Sequence, residues 1–238
     1  MNEVKKSTIK FAFKTSLPVL AGYLVLGFGF GVLLQSKGYA WWWTFIMSVT
    51  MFSGSLQYMG VELLATQASI LTTAIISLVV NIRHLFYGIT MLKRYKNAEK
   101  KFRPYIIFSM TDETFSLVST KEIPKGVDES RFFFFLSLFN HIYWITGCAL
   151  GGIIGTAIPF NNKGIDFAMT ALFVVIFVEQ WEKAKNHLPA LTGVIASIIC
   201  LLVFGKEFII PAMILITISL FVERRWLDDE KKEADLDE

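Results

Sequence analysis

Apolar residues along this chain gather into runs long enough to cross a bilayer, and polar residues inside some runs mark where the pattern breaks. A helix needs about 20 apolar residues to span the hydrocarbon core. Leu17 to Gln35 meets that length, with Pro18 at its start, where a missing N–H matters least. Gly22, Gly27, Gly29 and Gly31 follow, at a spacing that lets another helix or a bound solute approach the backbone. Ala68 to Leu92 is a second run, and Phe132 to Ile158 is a long third one with a glycine-rich half. Ile165 to Gln180, Pro189 to Phe204 and Phe208 to Val222 complete the uninterrupted set.

Two further stretches are interrupted. Trp41 to Ala65 opens on the interfacial anchor Trp41-Trp42-Trp43, then carries Ser53-Gly54-Ser55-Leu56-Gln57, with Glu62 beyond. Pro104 to Thr120 is cut by Thr111-Asp112-Glu113-Thr114. Non-helical backbone survives at membrane depth only where protein or a water-filled cavity satisfies it. The pattern therefore predicts two short helices meeting at Gly54 and a second break at Thr111 to Thr114. The expected fold is an all-α, polytopic membrane bundle of about six full spans plus broken or re-entrant segments.

Composition supports a membrane protein: 54% of residues are hydrophobic and 18% charged, where soluble domains carry about 25% charged residues. The 238 residues suit one helical bundle. A net charge of +3 is too small to indicate nucleic acid. The basic residues are instead clustered at Lys5, Lys6, Lys10 and Lys14, along Lys93 to Arg103, at Lys183 and Lys185, and at Arg224 and Arg225. Such clusters mark cytoplasmic segments, so both termini are expected inside. This requires Trp41 to Ala65 to enter and leave on one side. A full crossing there would put the Lys93 loop outside, and a further crossing at Pro104 to Thr120 would restore the later loops. The expected organisation is a cytoplasmic segment over 1–15, a transmembrane domain over 16–223 and a charged cytoplasmic tail over 224–238. The first apolar run reads as a retained span. Cys148 and Cys200 stand apart, which implies neither a disulfide framework nor a zinc site. Gly31 before Thr50-Met51-Phe52 repeats the spacing of Gly152 before Ala171-Leu172-Phe173, a hint of an internal repeat.

Three polar islands sit at membrane depth. In Ser53, Gly54, Ser55 and Gln57, a helix start would offer free N–H groups to an anion such as a carboxylate. The bland reading is a kink held by serine and glutamine. In Asn81, Arg83 and His84, an ionisable group costs on the order of 3 kcal/mol unless it faces protein or water. Arg83 suits bidentate pairing with a carboxylate, and His84 could carry a proton. Alternatively, Arg83 snorkels toward Lys93, about 15 Å along a helix. Asp112 and Glu113 form the third island. They could bind an amino group, accept a proton or pair with Arg83, or one could be an exposed helix-capping acid. Asn140 and His141 read as a lesser pair, with the histidine in a packing role.

Four motifs then stand in order: Phe52-Ser53-Gly54-Ser55-Leu56-Gln57, Asn81-Ile82-Arg83-His84-Leu85-Phe86-Tyr87, Thr111-Asp112-Glu113-Thr114-Phe115 and Asp166-Phe167-Ala168-Met169-Thr170-Ala171-Leu172-Phe173. Together they resemble the AzlC/YgaZ family of azaleucine-resistance, branched-chain amino acid transport proteins, from about Pro18 to Val178. The resemblance implies the large subunit of an inner-membrane exporter of valine-like amino acids. It also implies a small, separately encoded membrane partner of the AzlD/YgaH type. Ser53 stands where that family usually has alanine, and Gly88 where serine is common.

On this reading the substrate-binding candidates are Ser53, Gly54, Ser55, Gln57, Asn81 and Arg83, and the proton-coupling candidates are His84, Asp112 and Glu113. No catalytic residue, metal or cofactor is expected, and no phosphate-binding GxxxxGK[ST] motif occurs. One alternative is an intramembrane serine hydrolase using Ser55 with His84 or His141, although no GxSxG elbow is present. Another is a channel or importer for small amphiphilic solutes.

Overall fold

The computed structural model describes residues 2–157, 174, 177–178, 181–182, 186–205, 208 and 211–219. The run Ile165 to Gln180 as a span, the motif from Asp166 to Phe173, Lys183 with Lys185, and the tail from Arg224 lie outside the described residues. The chain divides into two compact units, Met1–Met169 and Thr170–Glu238.

Among its described residues, the first unit contains seven helices: α1 (Asn2–Ser36), α2 (Trp41–Thr50), α3 (Gly54–Ala65), α4 (Ile70–Lys96), α5 (Arg103–Phe108), α6 (Asp112–Thr120) and α7 (Glu129–Gly155). In the second unit, α8 covers Leu188–Phe204 and a further helical run covers 211–219. No strand occurs among the described residues. Among the described residues, three helical stretches, Val4–Ser36, Ile70–Lys96 and Glu129–Gly155, are long and apolar enough to cross a membrane. All-α architecture and both predicted breaks are therefore present.

One boundary differs from expectation. Pro18 does not open the first helix but lies inside α1. Proline is tolerated within membrane helices where neighbouring groups hold the freed backbone. Here the preceding turn is anchored by Ser16, whose hydroxyl donates to the Phe13 carbonyl at 2.8 Å and meets Tyr143 Oη of α7 at 2.9 Å.

Helices α1 and α7 form the scaffold. Gly27 and Gly31 face Gly147, Gly151 and Gly155, all spaced by four, and the two backbones touch. A Cβ on Gly27 would lie 2.9 Å from the Trp144 carbonyl oxygen, and one on Gly147 would lie 2.8 Å from the Leu24 carbonyl oxygen. Small residues allow this approach, and dispersion across it replaces the hydrophobic drive that lipid does not supply.

At one end of the unit a core of Ala12, Met91, Tyr95, Ile106, Val118 and Phe132 binds α4, α5 and α6 to that scaffold. Arg94 completes it. Its guanidinium donates to Glu129 at 2.9 Å and to the Val118 carbonyl, and sits 5.2 Å from the Phe133 ring centroid. Part of the basic run that ends α4 is therefore structural.

Candidate functional site: two broken helices bridged by one arginine

The first break separates α2 from α3. Met51 to Ser53 carry no helix, and Ser53 is extended, with φ −145° and ψ 98°. Serine in the position before a helix usually caps it. Ser53 does not, because its hydroxyl donates instead to Asn81 Oδ1 on α4 at 3.0 Å. The first N–H groups of α3 have no acceptor within the helix and no side-chain cap. Gly54 packs closely there: a Cβ would lie 3.0 Å from the Trp144 ring, which would have to give way. Trp144 in turn donates its indole N–H to Gln57 Oε1 at 2.7 Å. Gln57 is fully buried, and its Nε2 has no partner among the described residues.

The end of α2 is held by His141. The Ser48 carbonyl, 3.0 Å from Nε2, can only accept, so Nε2 carries the proton and Nδ1 accepts from Tyr105 Oη at 2.9 Å. The imidazole also stacks on Phe52, with ring centroids 4.4 Å apart. His141 therefore ties both broken segments to α7.

The second break separates α5 from α6. This helix start is capped: Thr111 Oγ1 accepts from the Thr114 N–H at 3.3 Å. Asp112 and Glu113 occupy the first turn, where the helix dipole favours negative charge. Although adjacent, the two carboxylates serve different helices. Asp112 forms an ion pair with Arg83 of α4 and accepts from Tyr87 Oη at 2.9 Å. Glu113 accepts from Tyr23 Oη of α1 at 2.6 Å. That phenol also meets Thr111 Oγ1 at 2.6 Å, Thr111 meets Thr114 Oγ1 at 3.0 Å, and Asn140 Nδ2 of α7 donates to Thr114 at 3.0 Å.

Arg83 bridges the breaks. One terminal nitrogen serves Asp112 at the start of α6; the other donates to Ser55 Oγ in the first turn of α3 at 2.6 Å. Its Nε is buried without a partner among the described residues. The pairing takes the place of snorkelling. Each terminal nitrogen has one N–H committed to an internal partner.

The structure thus joins Ser53 to Asn81, and Ser55 to Arg83 and Asp112. Glu113 stands beside them in a separate network. His84 is not drawn in: its Nδ1 lies 3.3 Å from the Asn81 carbonyl and the ring meets Tyr87 edge-on. Ser55 accepts from Arg83, while His84 and His141 bond to other groups, so no serine–histidine dyad is assembled. Tyr23, Tyr87, Tyr105 and Trp144 were not legible as site residues, since aromatic residues within apolar runs look like packing. Beside the first break lies a largely apolar cavity of about 410 Å³, bordered by Met47 of α2, Met51 in the break, Leu56 and Gly60 of α3, and Thr73 and Ser77 of α4.

The profile of the AzlC protein family matches residues 18–158. The chain is 44% identical to the branched-chain amino acid transport protein AzlC of Bacillus subtilis (strain 168), over 93% of this chain and 87% of that protein. It is 38% identical to an uncharacterized membrane protein of Helicobacter pylori (strain ATCC 700392 / 26695), over 96% of this chain and 100% of that one. A membrane protein of Haemophilus influenzae (strain ATCC 51907 / DSM 11121 / KW20 / Rd), also uncharacterized, is 39% identical over 86% of this chain and 84% of its own length. No solved structure matches the chain. With its described helices, its two interrupted segments and this extent of similarity, the chain is a membrane protein and belongs to the AzlC family.

Proposed function

We propose that this chain is the large subunit of a secondary active transporter that exports branched-chain amino acids, valine-like ones above all, across the cytoplasmic membrane. The observation that carries the reading is Arg83, an intramembrane cation linking the starts of two broken helices. Discontinuous helices with their starts turned toward a central site recur in transporters that work by alternating access. An ionisable residue at membrane depth is by default functional. The name of the Bacillus subtilis relative supports the substrate class.

The chemistry fits a zwitterion with an aliphatic side chain. The carboxylate docks at the uncapped start of α3, on the N–H groups around Gly54 and Ser55, with Gln57 and Asn81 alongside. The side chain occupies the apolar cavity bordered by Met47, Met51 and Leu56. Arg83 moves between Asp112 and the substrate carboxylate, which couples occupancy to the geometry of both breaks. Export runs on the proton gradient, with His84, Asp112 and Glu113 as the candidate carriers. A small membrane subunit of the AzlD/YgaH type assembles with the chain. Both termini are cytoplasmic, and 16–223 forms the transport domain. The clustering of lysine and arginine supports that orientation.

The test is efflux of preloaded radiolabelled valine from cells expressing the chain, with and without the small subunit, and with an uncoupler. Subunit-dependent, uncoupler-sensitive efflux is expected. Absence of valine, leucine and isoleucine efflux from cells with the protein in the membrane would overturn the reading.

A further inference from the structure

We propose that Glu113 holds the transported proton, and that the hydroxyls of Tyr23, Thr111 and Thr114 reverse their hydrogen bonds when it does, turning over the Asn140 amide on α7. This rests on the proton-coupled reading above and selects one carrier among its three candidates.

The first argument is the division of the two carboxylates. A proton on Asp112 would leave Arg83 without its counter-ion. Glu113 has no cation among its described partners; its carboxylate accepts from the Tyr23 phenol. A proton there breaks no ion pair. Glu113 is also half-buried rather than sealed. The charged and titratable groups around it are Tyr23 on α1, Arg83, His84 and Tyr87 on α4, and Asp112 beside it. On α7, His141 is committed to Tyr105 and Ser48.

The second argument is a count of protons. Glu113, Tyr23, Thr111 and Thr114 make contacts of 2.6, 2.6 and 3.0 Å in sequence. Each hydroxyl has one proton to give. With Glu113 ionised, Tyr23 donates to Glu113, Thr111 to Tyr23 and Thr114 to Thr111, and the Asn140 N–H serves Thr114. With a proton on Glu113 every direction inverts: Glu113 donates to Tyr23, Tyr23 to Thr111 and Thr111 to Thr114. Thr114 then keeps a proton with no described acceptor. Next to it, the fully buried Asn140 has an Oδ1 with no donor among the described residues. Turning the amide over brings Oδ1 to Thr114 and satisfies both, and leaves Nδ2 as the one unpaired group in place of two. A buried polar group left unpaired costs about 1–3 kcal/mol, enough to bias the amide.

In transport terms, Glu113 takes a proton from water on one side and returns it to water on the other. Between those events, the bond joining α6 to α7 has changed sense. Tyr23, Thr111, Thr114 and Asn140 are positioning residues, because they act through Glu113.

Two measurements test this. Infrared difference titration of the purified protein should show a protonated-carboxyl band that is lost in Glu113→Gln and kept in Asp112→Asn. In Tyr23→Phe the band should persist at a shifted frequency. A band that survives Glu113→Gln, or disappears in Asp112→Asn, overturns the assignment. In proteoliposomes, an imposed pH gradient should drive valine accumulation by the wild type, and the response to the gradient should vanish in Glu113→Gln. An undiminished response in that variant overturns the proposal. A wild type that exchanges valine yet ignores the gradient overturns proton coupling itself, and this assignment with it. A wild type that moves no branched-chain amino acid at all marks the failure of the substrate reading, and the infrared result then decides where the proton resides.

Discussion

Arg83 and Asp112 form an ion pair between the middle of α4 and the first residue of α6, with side chains 31% and 24% exposed. Arg83 also reaches Ser55 at 2.6 Å, so a single guanidinium links both broken helices. Arg83→Lys cannot serve the two partners at once, because an ammonium lacks the planar fork. Valine efflux should fall by at least about tenfold while the protein still reaches the membrane, roughly the effect of losing one well-placed charged contact. Efflux assays normalised to immunodetected protein decide this, and wild-type flux would remove Arg83 from the site.

The same pair has a signature in stability. Asp112→Ala leaves Arg83 with only Ser55 and should cost about 1–3 kcal/mol. Arg83→Leu combined with Asp112→Leu should cost less than the sum of the two single replacements, since neither charge is then left alone. Melting temperatures of the four proteins in one detergent provide the cycle. Strict additivity would mean that the pair is not formed.

Glycine contacts in the scaffold make a positional prediction. Gly27→Val would drive side-chain atoms into the α7 backbone, where even a Cβ lies 2.9 Å from the Trp144 carbonyl oxygen. A loss of about 1–3 kcal/mol follows for an overpacked contact. On the same helix, a Cβ at Gly22 would meet nothing within 4 Å, so Gly22→Ala should be neutral or slightly stabilising. Thermal unfolding of the two variants separates a packing role from a generic helix effect.

Ser53 and Gly54 should behave differently although they are neighbours. Ser53→Ala removes the bond to Asn81 and should cost about 0.5–1.5 kcal/mol, a change readable as a lower melting temperature. Gly54→Val should displace the Trp144 ring, release Gln57 and close the start of α3, and so abolish valine flux. A flux-competent Gly54→Val variant would argue that the substrate carboxylate does not bind there.

His141 fixes the end of α2 through the Ser48 carbonyl and the start of the second broken segment through Tyr105. His141→Phe keeps the ring against Phe52 but leaves both polar partners unpaired, at about 1–3 kcal/mol each. Tyr105→Phe removes one bond and should be the milder change. Chemical denaturation of both variants ranks them; the opposite order would show that the Ser48 contact contributes little.

Much of this protein is local in origin and therefore legible in its sequence. Runs of the required length, glycines at every fourth position and polar residues cutting an apolar stretch follow from helix period and bilayer thickness, which do not depend on neighbours. That is why α1, α4 and α7 and the breaks at Gly54 and at Thr111 to Thr114 could be anticipated. The passage of α1 through Pro18 could not, because proline reads as a helix start and its place inside a helix is set by the packing around it. Partnerships were likewise undecided. Arg83 could have faced a substrate, the cytoplasmic interface or a carboxylate of the chain, and the meeting with Asp112 depends on how α6 is placed beside α4. Asp112 and Glu113 look equivalent in the chain. About 100° of helical rotation separates them, and the packing of α1 and α4 on either side makes one a counter-ion and the other the end of a hydroxyl chain. Tyr23, Asn140 and His141 entered the site for the same reason: hydrogen bonds between helices are set by tertiary geometry, which residue type and spacing along one helix do not specify.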